Sequence, residues 1–275
     1  MRHPHLTPSL VAIAHGSRDP RAGATVAGLL ALARTRASAR GLAGLEARGA
    51  FLGHAPPAPL QVLTALAGQG GGDRDVVVLP LLLTAAFHSG TDIPGLLAEA
   101  TAGLPGLRIR YGEPLGPHPG LVHALERRLT EAGHDPADDP AGTSVVLAAA
   151  GSSHPAANAA IAAMASGWQA ARGWAEVRPA YASAASPTPA EAVTDLLRGG
   201  ARRVVVATYL LAPGLFADRI RGTALAAGAV AVSAPLGAAE DVADVLLDRY
   251  EQAAAGRLER RGAAAQRRDA QVSVR

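Results

Sequence analysis

The chain contains no cysteine, which excludes disulfides, thiolate metal sites and cysteine-ligated iron–sulfur clusters. Any metal must be held by His, Asp, Glu or backbone oxygen. Lysine is also missing, so every basic residue is Arg. Without lysine there is neither a Schiff base nor a phosphate-binding P-loop, and the glycine run Gly68–Gly72 leads straight into Asp73. A reaction driven by ATP is therefore not expected. Aromatic residues make up only 3% against 49% hydrophobic. The cores must then be built from Ala, Leu and Val, a composition that suits α/β packing better than an antiparallel sandwich. No apolar run approaches the ~20 residues needed to span a bilayer. Residues 1–9, with His3, Pro4, His5 and Pro8, do not form a secretory leader. A soluble, cytoplasmic protein is expected, with no membrane partner.

Charge adds little. The formal net charge is +3, and much of the excess lies in Arg257, Arg260, Arg261, Arg267, Arg268 and Arg275. A frayed, solvated tail over 256–275 accounts for this better than nucleic-acid binding does.

What is present is a duplicated pattern of strands and helices. Leu10–Ala14 is a short apolar run that reads as a buried parallel strand. His15-Gly16-Ser17-Arg18-Asp19-Pro20 follows, and then a helical stretch over Ala22–Arg40. Further strands are expected at Ala50–Leu52, Val76–Leu83 and Leu107–Tyr111. Helices are expected at Leu60–Ala67, Pro94–Ala102 and Leu121–Thr130. Pro80 marks a place where the third strand bends or ends. Alternation of this kind predicts an α/β fold with doubly wound parallel sheets. The order then recurs. Ser144–Ala150 leads into Gly151-Ser152-Ser153-His154-Pro155, and Arg178-Pro179-Ala180-Tyr181 echoes Arg48-Gly49-Ala50-Phe51. Val204–Leu211 echoes Val76–Leu83, and Ala234-Pro235-Leu236-Gly237 echoes Glu113-Pro114-Leu115-Gly116. Two homologous domains are expected, over 1–134 and 144–255, joined by a linker at 135–143.

The differences between the copies point to chemistry. His15 aligns with Ala150 and His88 with Phe216, so the first half is expected to carry the active site. Ligands of open parallel sheets bind beyond the carboxyl ends of the strands. If the first and third strands are neighbours, His15 and His88 reach one crevice. Neutral imidazole binds first-row divalent metals and can also accept a proton near neutral pH. His54 follows another strand and is a further candidate ligand. Gly16 and Ser17 could meet an anionic group at a helix start, or Ser17 and Asp19 could simply cap that helix. Arg18 could grip a carboxylate or form a surface ion pair. His118, His123, His134 and His154 read as surface, helix-start or linker residues. A serine hydrolase is a weak alternative, because neither Ser17 nor Ser152 lies in a nucleophile elbow.

Together, His15-Gly16-Ser17-Arg18-Asp19-Pro20 and Val78-Leu79-Pro80-Leu81-Leu82-Leu83, leading through Phe87-His88 to Asp92-Ile93-Pro94, resemble the CbiX/SirB family of sirohydrochlorin chelatases in its long, two-domain form. The resemblance implies ATP-independent insertion of Fe2+ into sirohydrochlorin for sirohaem, or of Co2+ on the way to cobalamin. It implies no cofactor beyond that metal substrate, metal-binding histidines at His15 and His88, and a cleft between the two domains. A non-catalytic metal or tetrapyrrole carrier would use the same cleft. Family members often carry a Glu shortly after the second strand. Here the stretch is Phe51-Leu52-Gly53-His54, so either His54 substitutes, or two ligands suffice, or the metal preference differs. The second half either supplies the opposite wall of the cleft or merely covers it.

Overall fold

The computed structural model describes residues 7–69, 73–84 and 93–255. The first half runs β1 (Ser9–Ala14), α1 (Pro20–Ala39), β2 (Ala47–Phe51), α2 (Pro59–Ala67), β3 (Arg74–Pro80), α3 (Ile93–Gly103), β4 (Leu107–Tyr111) and α4 (Gly120–Glu131). A single 3-10 turn, Pro140–Gly142, precedes the second half. That half runs β5 (Thr143–Ala149), α5 (Pro155–Arg172), β6 (Glu176–Tyr181), α6 (Pro189–Arg198), β7 (Arg203–Tyr209), α7 (Leu215–Ala226) and β8 (Ala231–Val232). A last helix, α8, occupies 240–255.

The strands form two parallel four-stranded sheets, ordered β2-β1-β3-β4 and β6-β5-β7-β8. The second sheet thus repeats the topology of the first, as the duplicated sequence predicts. β1 and β5 are buried along their whole length because both faces of each sheet are covered, which is why they read as unbroken apolar runs. Alternate residues of each strand serve different layers. Leu10, Ala12 and Ala14 of β1 and Val145, Leu147 and Ala149 of β5 face one shared central core. Val11 and Ile13 face an outer core under α2 and α3, and Val146 and Ala148 face another under α6 and α7. The molecule is therefore a five-layer stack whose middle layer holds α1, α4, α5 and α8.

That middle layer does not respect the boundary between the sheets. The last helix of each half lies on the other half. α4 packs against β7, and the Arg128 guanidinium donates to the Leu236 carbonyl at 2.9 and 3.1 Å. In return, the Tyr250 hydroxyl on α8 donates to the Pro8 carbonyl at 2.7 Å. Arg110 of β4 donates to the Ala254 carbonyl at 2.7 Å. Gly112 lets the helix come close, since a Cβ there would lie 2.4 Å from Leu79 and 2.9 Å from Ala253. Arg36 and Arg40 of α1 pair with Asp244 and Asp248 of α8. Between α4 and β5 the chain passes from one sheet to the other, while the last helices pack across that boundary.

The second strand begins at Ala47 instead of Ala50. The third ends at Pro80, short of Leu83, as the proline in the run suggests. Proline supplies no N–H to the ladder, and after Leu81 donates to the Ile13 carbonyl at 2.7 Å the chain leaves the sheet. His134 is no exposed linker residue. It is buried, 6.1 Å from the Trp174 ring at 31°, and burial holds its imidazole below the usual histidine range. Among the described residues, no helix is long and apolar enough to cross a membrane.

Candidate functional site

β1 pairs directly with β3, Ile13 lying opposite Pro80. The carboxyl ends of these two strands therefore lie side by side. His88 itself lies outside the described residues. His15 is the first residue beyond β1 and is exposed. Its neighbour Gly16 has φ 92°, and a Cβ there would sit 1.8 Å from the Gly53 carbonyl oxygen. Only glycine permits this approach. The contact is reinforced by Leu52 N–H donating to Ala14 at 3.0 Å and Gly53 N–H donating to His15 at 3.1 Å. The 52–54 segment is thereby laid alongside His15.

That arrangement brings His54 into the site. His54 is exposed and adopts φ 63°, a left-handed backbone that a non-glycine residue rarely takes. Its ring centroid lies 6.4 Å from that of His15, with the planes at 84°. No cluster of three or more metal-ligating side chains occurs among the described residues, so these two imidazoles are the described part of the candidate set.

Ser17 Oγ accepts the Asp19 N–H at 3.0 Å, and Asp19 caps α1 through the Arg21 N–H at 2.9 Å. Ser152 Oγ accepts the His154 N–H at 3.1 Å in the second half, so the serine bond belongs to the turn itself. His154 sits at the N-cap of α5, where Asp19 stands in α1. Arg18 is exposed at the rim of the crevice.

The crevice is a cavity of about 690 Å³ between the halves. His15, Gly16, Ser17, Arg18, Phe51 and His54 line one side. The other side is the β7–α7 connection with the first residues of α7, Leu210–Ala217. The second half therefore supplies a wall. Sequence reasoning aligned Phe216 with His88 but assigned this connection no role. The available signal was its apolar character, Leu210, Leu211 and Pro213 in a connection where polar residues are usual, followed by Leu215 and Phe216 at the start of α7. Next to the lining residues Ala22 and Ala217, Arg21 joins the two halves, with Nη2 2.7 Å from Asp19 and 2.6 Å from Asp218 of α7. Its hydrogen bond holds the Asp19 carboxyl below the usual carboxylate range.

The CbiX family model matches residues 9–132 and again 144–253. The chain belongs to the CbiX family. A sirohydrochlorin cobaltochelatase of Priestia megaterium is 32% identical over 152 residues, 54% of this chain and 49% of that protein. A sirohydrochlorin ferrochelatase of the same organism is 31% identical over 171 residues, 62% of each. The chain thus spans about half to three-fifths of these relatives' length. The structure of SirB from Bacillus subtilis with Fe3+ superposes with a TM-score of 0.78 at 24% identity, covering 92% of this chain and 98% of that one. Its cobalt complex from subspecies spizizenii gives 0.71 at 23% identity, covering 90% and 95%. These structures share the two-sheet fold of this CbiX-family chain.

Proposed function

We propose that this chain inserts a divalent metal, Fe2+ or Co2+, into sirohydrochlorin without ATP, using His15, His54 and His88. The observation that carries the reading is the pair of exposed imidazoles of His15 and His54 at the carboxyl end of the first sheet, opening into a cavity of ligand size. Two imidazoles sharing one metal at about 2.1 Å bring their centroids to roughly 5 Å. The 6.4 Å separation is longer than this, so taking up a metal would draw the two rings together. His54 would take the place of the missing family Glu. Insertion releases two pyrrole protons for each metal taken up, and a neutral imidazole beside the macrocycle can accept one. A site with no thiolate binds metal loosely enough to hand it on. Gly16, Ser17 and Arg18 line the rim, where backbone and guanidinium donors would meet substrate carboxylates. A cytoplasmic location belongs to the same proposal.

The test mixes purified chain with sirohydrochlorin and Fe2+ or Co2+ under anaerobic conditions and follows the visible spectrum. Multiple turnovers above the uncatalysed rate are expected. A stoichiometric spectral change that then stops would make the chain a carrier.

A further inference from the structure

Among the described residues, only six large hydrophobic side chains are substantially exposed, and two of them are adjacent. Leu215 is 70% exposed and Phe216 36% exposed, both in the first turn of α7. The next residues are fixed. Ala217 and Ile220 are buried, and Asp218 is paired with Arg21 of the first half at 2.6 Å. The exposed pair is therefore held on a rigid helix turn, not on a wandering loop. Both residues line the same cavity as His15 and His54, on the opposite wall, beside Leu211 and Pro213.

The repeat shows what has been exchanged. Ile13 pairs with Pro80 in the first sheet, and its equivalent Ala148 pairs with Thr208 in the second. The same step along the chain from Pro80 and from Thr208 leads to His88 and to Phe216. One of only three phenylalanines in the sequence thus stands where the first half has a histidine.

We propose that Phe216 and Leu215 are the macrocycle-facing surface of the site. On this assignment, which rests on the chelatase reading, the flat conjugated ring lies against Phe216 and Leu215 with one face and turns its other face to the imidazoles. An apolar wall gives the ring a place to stack without competing for metal, since it offers no ligand atom. The first half handles the metal and the second half handles the ring.

Metal-free sirohydrochlorin is titrated into the full chain and into Phe216→Ala, Leu215→Ala and Phe216→Trp, alongside steady-state turnover and a Co2+ titration without macrocycle. Phe216→Ala is expected to weaken macrocycle binding and raise KM about tenfold, and Leu215→Ala about threefold. Phe216→Trp should keep near-normal binding. Co2+ affinity should not move in any variant. Wild-type turnover with an unchanged KM in Phe216→Ala overturns the assignment while leaving the chelatase reading intact. So does a loss of Co2+ affinity that matches the rise in KM. A wild-type chain that takes up no sirohydrochlorin overturns both.

Discussion

At the end of β1, Gly16 at φ 92° packs on the Gly53 carbonyl; at the end of β5, Gly151 at φ 85° packs on the Ser183 carbonyl. His54 at φ 63° follows the first contact and Ala184 at φ 59° follows the second. The two loops thus repeat one backbone. Their side chains do not repeat, because His15 and His54 are replaced by Ala150 and Ala184. The unusual backbone is therefore a property of the fold, present with or without chemistry. What differs is the side chains mounted on it: imidazoles at His15 and His54 in one copy, methyl groups at Ala150 and Ala184 in the other.

The largest expected effect separates the copies through their histidines. His15→Ala should lower turnover on the order of 100-fold, the scale of damage at a disturbed metal site, with little change in melting temperature, since the side chain is exposed. His88→Ala should behave alike. His154→Ala, at the helix start of the second half, should leave turnover nearly unchanged. Equal losses in His15→Ala and His154→Ala would remove the asymmetry on which the functional assignment stands.

The next effect should treat the copies equally in stability and unequally in activity. An added Cβ meets a carbonyl oxygen at 1.8 Å in Gly16→Ala and at 2.0 Å in Gly151→Ala. Each substitution should cost about 2–3 kcal/mol, or roughly 5–10 °C in melting temperature for a chain of this size. Only Gly16→Ala should also lose turnover per folded molecule, because Gly16 adjoins His15 and packs on the loop that carries His54. A thermal melt and an activity assay on the folded fraction give both readings. Loss of turnover in Gly151→Ala would show that the second loop shapes the site as much as the first.

Much of this was legible in the sequence, for physical reasons. Strands buried on both faces produce continuous apolar runs, so β1, β3, β5 and β7 stand out, and the repeat of their order shows the duplication. His15 could be placed because it directly follows such a run. The exchange of α4 and α8 could not be read, since an amphipathic helix records that it has a buried face but not which sheet covers it. His134 was misplaced for a related reason. A polar residue in a Pro- and Asp-rich stretch reads as exposed, yet Trp174 from the second half covers it. The nearness of His54 to His15 depends on a left-handed turn at a non-glycine residue, and no local sequence signal announces such a turn.

That turn supplies the smallest and most discriminating test. A non-glycine residue in the left-handed region costs about 1–2 kcal/mol, while glycine adds about 0.4–1 kcal/mol of unfolded-state entropy. His54→Gly and Ala184→Gly should therefore each stabilise the chain by about 0.5–1 kcal/mol, seen as a rise of roughly 1–4 °C in melting temperature. The two variants should then part company. Ala184→Gly should keep full turnover. His54→Gly should weaken Co2+ uptake about tenfold and lower turnover with it, a more stable protein that works less well. If His54→Gly gains stability and loses nothing else, the turn is shared scaffolding in both halves, and the metal set reduces to His15 and His88.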